Sequence, residues 1–159
     1  MIETKNDNAL SIVRFHPSDY LKLIKDGITE NTLKHDPAKS KLYAEFYASR
    51  GPAFTALTDD GEIAGCAGVM IMWPGVGEAW ILFNHELAKK HKKDAYEIVL
   101  RHLLVIIEEK KLHRVQAHCN TNLPHAVKYL EGLGFKREGT MGKYDEEGND
   151  HYLYAMVIG

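Results

Sequence analysis

Cysteine is scarce in this chain, and long apolar runs, prolines and any excess of one charge are scarce with it. Cys66 and Cys119 are the only two cysteines, both inside apolar strand-like stretches. They predict buried free thiols of a reducing compartment, and hence a cytoplasmic protein, in place of a disulfide framework. No run approaches bilayer-spanning length, and Met1 to Leu10 mixes Glu3, Lys5 and Asp7 with no apolar core. It does not read as a secretory leader, so a soluble protein with no membrane partner is expected. A formal charge of -2 and a pI near 6.5 give no electrostatic reason to expect nucleic-acid binding, so any anion site must be local. What is present is 159 residues with 45% hydrophobic content, enough for one domain with a full core and too little for a second.

The period of the apolar residues switches repeatedly. Ser11 to Phe15 reads as a strand, and Pro17-Ser18-Asp19 supplies helix-start chemistry before Tyr20, Leu21, Leu23 and Ile24, with an end near Gly27. Ser40 to Ser49 reads as a second helix with Leu42, Tyr43 and Phe46 inward, stopped by Arg50-Gly51-Pro52. Phe54 to Thr58, Ile63 to Trp73 and Glu78 to Phe83 form an antiparallel meander whose turns are Asp59-Asp60-Gly61 and Pro74-Gly75-Val76-Gly77. Ala95, Ile98, Val99, Leu103, Ile106 and Ile107 recur at helical spacing over Ala95 to Lys110, a stripe broad enough to require packing on the sheet. Val115, Ala117 and Cys119 alternate with Gln116 and His118 as a strand, and Pro124 opens a helix that Gly134 closes. Phe135 to Thr140 and Tyr152 to Ile158 finish the sheet across an acidic loop at Asp145 to Asp150. The helix-length link between Glu78–Phe83 and Val115–Cys119 predicts that these two strands run parallel and splayed.

The resulting order, β-α-α-β-β-β-α-β-α-β-β, is α+β, and from about Ser11 onward it resembles the fold of GNAT acetyltransferases. The likeness rests most on the segment Glu78 to Phe135. Family members carry an Asn, then Ala, then Tyr-Glu-x-x-Gly-Phe; here Asn122, Ala126 and Leu130-Glu131-Gly132-Leu133-Gly134-Phe135 follow that line, with Asn122 one place early. Shorter likenesses point to divergent phage- and prophage-encoded GNAT-like proteins: Trp80 and Leu82, the lysine-rich turn, Asn120, Thr121 and His125, and Leu130 with Gly134.

The resemblance implies acetyl-CoA as co-substrate and a small-molecule or protein amine as acceptor, and it implies roles residue by residue. The turn that binds the CoA diphosphate corresponds to His91-Lys92-Lys93-Asp94-Ala95-Tyr96, which has none of the family's glycines. Asp94 reads as an N-cap there, and its carboxylate would compete with phosphate. The basic run Lys89, Lys90, His91, Lys92 and Lys93 reads either as side-chain diphosphate contacts or as a solvated loop. The backbone amides at Leu82 and Phe83 would receive the thioester carbonyl.

For catalysis, Glu78 is the candidate base; it shares a strand face with Trp80 and Leu82 and also directly follows a glycine turn, where a solvated glutamate is the ordinary outcome. Leu130 replaces the tyrosine that would protonate the thiolate, and Tyr129, about 100° around the helix, reads as a core residue or a displaced acid. His118 reads as a hydrogen-bonded core histidine or as a base, His125 in a first helical turn has similar status, and His151 has no evident partner. The nine histidines show no metal-ligand spacing. Two functions follow: a CoA-dependent N-acetyltransferase, or a GNAT-fold phage or prophage structural or interaction protein without catalysis. Oligomeric state is not written in the sequence, and a homodimer is compatible with it.

Overall fold

The computed structural model describes residues 10–25 and 37–159. The described elements run β1 (Ser11–Arg14), α1 (Pro17–Lys25), α2 (Pro37–Ser49), β2 (Ala53–Leu57), β3 (Ile63–Trp73), β4 (Val76–Phe83), α3 (His85–Lys90), α4 (Lys92–Glu109), β5 (Arg114–Asn120), α5 (Pro124–Leu133), β6 (Lys136–Met141) and β7 (His151–Val157). The strands form a mixed sheet of order β1-β2-β3-β4-β5-β7-β6. The expected α+β order is present, with α3 as an addition. The end of α1 near Gly27 lies outside the described residues. No helix among the described residues is long and apolar enough to cross a membrane.

The chain divides into two compact units, Met1–Met70 with Trp80–Leu103, and Ile71–Ala79 with Leu104–Gly159. In the first, β1 pairs antiparallel with β2 and β2 with β3. Its core joins Phe15, Tyr20, Leu23, Ile24, Ala44, Ile63, Cys66 and Leu82, with Tyr47 and Trp80 packed against it. Helix α1 begins as the sequence predicts. Pro17 occupies the first helical position, and Asp19 accepts the His16 backbone N–H (3.0 Å) and the buried Thr55 hydroxyl (2.8 Å) through the same carboxylate oxygen. Gly68 lies where the β2 backbone comes closest: a Cβ there would sit 2.6 Å from the Pro52 carbonyl oxygen.

Three expectations for this unit are corrected. Helix α2 buries Ser40 and Ala44, a four-residue repeat, and leaves Leu42, Tyr43 and Phe46 exposed, Leu42 by 66%. Its apolar residues are spread around the helix, so composition did not identify the packed stripe; Phe46 instead carries the Arg50 guanidinium at 4.7 Å from its ring. The basic run is not one turn. Residues His85–Lys90 form α3, whose first turn is capped by Asn84 Oδ1 accepting the Leu87 N–H at 3.2 Å. Helix α4 then starts at Lys92, three residues before the expected Ala95, so Asp94 lies within its first turn and is not its N-cap.

In the second unit β4 and β5 run parallel, as predicted, at Val76–Arg114, Gly77–Val115 and Glu78–Gln116. Val76 and Gly77 are therefore strand residues, and the turn is confined to Pro74 and Gly75. Gly75 has φ +88° with the His113 ring against it, leaving no room for a side chain. Strand β7 pairs antiparallel with β5 over seven residues and with β6 on its other edge. Val115, Ala117 and Cys119 are buried on one face of β5, as their alternation requires, and Leu130, Leu133, Phe135, Tyr154 and Ala155 are buried in the same unit. Gly134 ends α5 at φ +102° in a left-handed cap whose N–H reaches the Glu131 and Leu130 carbonyls.

Candidate active site

The alternation that buries Val115, Ala117 and Cys119 turns Gln116, His118 and Asn120 to the opposite face of β5. Register then selects their neighbours. Glu78 of β4 stands opposite Gln116, whose Nε2 donates to Glu78 Oε1 at 3.4 Å. On the other side, β7 brings His151 opposite Asn120 and Leu153 opposite His118. His151 is the diagonal neighbour of His118, close enough for long side chains to meet. Their Nδ1 atoms lie 3.0 Å apart.

The acidic loop completes the group. His151 Nε2 lies 3.0 Å from Asp145 Oδ2. Asp145 Oδ1 accepts the backbone N–H groups of Glu147 (3.1 Å) and Asn149 (2.8 Å), and Oδ2 accepts the Asn149 side-chain amide (3.0 Å). The Tyr144 ring lies edge-on to His118 at 4.8 Å and tilted to His151 at 5.1 Å between centroids. His151, expected to have no evident partner, thus has two.

Electrostatics sort these groups. Burial pushes the His118 imidazole below its ordinary value, with the Glu78 carboxylate opposing and His151 adding to the shift. Burial, with Glu78 assisting, pushes the Tyr144 phenol up. The His151 hydrogen bond, followed by the Asn149 amide, holds the Asp145 carboxyl down at about 2. The arrangement therefore offers a neutral imidazole and carboxylates on one face, the equipment for moving a proton. Among the described residues no group of three or more His, Cys, Asp or Glu is arranged to hold a metal ion.

The remaining sequence-predicted residues are placed as follows. Leu82 is buried and Phe83 partly buried in β4. Lys89 and Lys90 are in the last turn of α3, where cations complement the helix dipole, and His91 caps α3 and accepts the Ala95 N–H of α4 at 2.8 Å. Lys92 and Lys93 are exposed in the first turn of α4, with Asp94, Ala95 and Tyr96 partly buried behind them. Two ammonium groups beside first-turn amides fit the donor chemistry a diphosphate needs, and Asp94 opposes it. Asn122 is exposed in the turn after β5, its N–H donating to Asn120 Oδ1 at 2.9 Å. His125 is exposed in α5, Leu130 is buried, and Tyr129 is half-buried with its hydroxyl oxygen covered.

Sequence reasoning missed Gln116, Tyr144, Asp145 and the pairing of His151. The alternation of β5 could have included Gln116 with His118. The other three become neighbours only through the β5–β7 register and the loop.

No protein-family model matches this sequence, and no curated protein is similar to it in sequence. Its fold is that of solved GNAT acetyltransferases. The ribosomal-protein-S5-alanine acetyltransferase of Vibrio fischeri superposes with a TM-score of 0.73 at 17% identity, covering 98% of this chain and 95% of that one. A GNAT-family acetyltransferase from Bacillus anthracis gives 0.70 at 19% identity, covering 93% and 94%. A variant of spermidine N-acetyltransferase from Vibrio cholerae gives 0.69 at 17%, covering 93% and 95%. At these identities the likeness defines the fold.

Proposed function

We propose that this protein transfers an acetyl group from acetyl-CoA to an amine by direct attack, with Glu78 and His118 as the proton acceptors. The observation that carries the reading is the Glu78–Gln116–His118 face of the second unit, on a fold whose solved neighbours are acetyltransferases. An amine with a pKa near about 10 is protonated at neutral pH and cannot attack until a base removes a proton. Glu78, by its charge, draws the ammonium in; His118, neutral through burial, has capacity to take its proton.

Acetyl-CoA would supply the activated thioester. Lys92 and Lys93, with the first-turn amides of α4, would hold its diphosphate, flanked by His91, Asp94, Ala95 and Tyr96, and the backbone at Leu82 and Phe83 would hold the acyl carbonyl. Tyr129 is the nearest replacement for the acid that Leu130 cannot be, and Asn122 precedes that helix. The acceptor is a small-molecule or protein amine: two of the structural neighbours are named for spermidine and for the alanine of a ribosomal protein. Two reduced thiols fit a cytoplasmic protein.

A second reading, a phage- or prophage-related interaction protein on the same fold, is favoured by the absence of glycine from His91–Tyr96, where α4 begins, and by Leu130. Calorimetric titration with acetyl-CoA and with CoA separates the two: micromolar binding supports the transferase, and no heat at millimolar ligand removes it.

A further inference from the structure

Resting on that reading, we propose that Asp145 and His151 are positioning residues that hold His118 in its Nδ1–H tautomer, so that Nε2 is the lone pair that takes the acceptor's proton. The argument starts from Asp145. Its Oδ1 is engaged by two backbone N–H donors, and its Oδ2 lies 3.0 Å from His151 Nε2. A carboxylate oxygen only accepts, so Nε2 carries the hydrogen. In neutral His151 the other nitrogen, Nδ1, is then an acceptor. It faces His118 Nδ1 at 3.0 Å, and two lone pairs at that distance repel, so His118 Nδ1 carries the hydrogen. One proton remains to be placed on a neutral His118, and it has been placed: Nε2 is bare.

Burial supports a neutral His118, which is half-buried on β5, and His151, the first residue of β7, is 9% exposed beside it. The charged or titratable groups facing His118 are Glu78 from β4, His151 from β7, and Tyr144 from the loop between β6 and β7, whose Asp145 meets His151. When the ammonium loses its proton to His118 Nε2, the amine nitrogen attacks the thioester carbon, the carbon–sulfur bond breaks, and the second proton shed by that nitrogen passes to the departing sulfur, which leaves as thiol. The imidazolium at His118 keeps its Nδ1–H on His151, whose Nε2–H stays on the Asp145 carboxylate, so the new positive charge is stabilised through the chain until water removes the proton.

Asp145→Asn gives a prediction no structural role would mimic. The two donors on Oδ1 are backbone N–H groups that cannot turn, whereas the Asn149 amide on Oδ2 can rotate to present its oxygen. The Asn oxygen therefore stays on the backbone donors, and its amide nitrogen takes the place of Oδ2 and donates to His151 Nε2. His151 must then carry its hydrogen on Nδ1 and His118 on Nε2: both tautomers invert, and the base is lost. The test is nitrogen-15 NMR of histidine-labelled full-length protein at neutral pH, with His118→Gln and His151→Gln used for assignment. The expected result is His118 as Nδ1–H and His151 as Nε2–H in the wild type, both inverted in Asp145→Asn. Turnover should fall about a hundredfold or more while acetyl-CoA affinity is unchanged. His118 as Nε2–H in the wild type, or unchanged tautomers in the variant, overturns the proposal. If the wild type binds no acetyl-CoA, the transferase reading fails, and the spectra still decide the histidine chain.

Discussion

Asp145 shows how one side chain in an acidic loop becomes structural. Four hydrogen bonds converge on its carboxylate and hold it at about 2, against 3.8 for an ordinary aspartate. A depressed carboxyl contributes stability that is fully present above the unfolded value and is lost as pH falls through the folded one. Urea unfolding should therefore show wild type more stable than Asp145→Asn at about pH 5, with the difference closing towards about pH 2. A difference that stays constant over that window would show that the carboxylate is solvated. His118 has the same sign for a different cause: burial disfavours its charged form, so its contribution is present above 6.5 and declines as pH falls below it. Tyr129, half-buried in α5, keeps its packing when changed to phenylalanine, so Tyr129→Phe is expected to lower kcat by less than about tenfold. A thousandfold loss with normal acetyl-CoA affinity would make it the acid.

At the scale of the element, α3 and α4 depend on their ends. Asn84 is buried at the start of α3, and its Oδ1 caps the Leu87 N–H. Asn84→Ala should cost about 1 kcal/mol in urea unfolding, and Asn84→Asp should recover most of it. Equal loss in both variants would mean that the burial of Asn84, not its cap, matters. In the first turn of α4, Lys92→Glu together with Lys93→Glu reverses two charges beside helix amides. Calorimetry should show acetyl-CoA affinity falling by about tenfold or more, about 1.4 kcal/mol, whereas Glu78→Gln leaves affinity nearly intact and lowers turnover. Unchanged affinity in the double variant would leave these lysines as solvated surface.

The whole chain carries two thiols, one in each compact unit, and both are buried. Burial pushes Cys66 up to about 12 and raises Cys119 as well, so neither presents a thiolate at neutral pH. A thiol reagent should modify neither in the native protein and both in urea. Intermediate urea, with single Cys→Ser variants, reads the opening of each unit by its own cysteine. Rapid labelling of either thiol without denaturant would contradict its burial.

The sequence by itself determined the order of strands and helices apart from α3, the parallel pairing of β4 with β5, the buried face of β5 and the Gly134 cap. These follow from periodicity, connection length and local backbone chemistry, which act within a few residues. It also placed Glu78 and His118 on adjacent strands. Only the tertiary structure decided the inward face of α2, where apolar residues surround the helix and packing partners choose among them. The same holds for the start of α4, which follows a short helix, capped by Asn84, that a lysine-rich composition conceals. It holds above all for the contact of His118 with His151 and Asp145. Those residues are separated by a helix, a strand and a loop, and only the β5–β7 register brings their ring nitrogens within 3.0 Å.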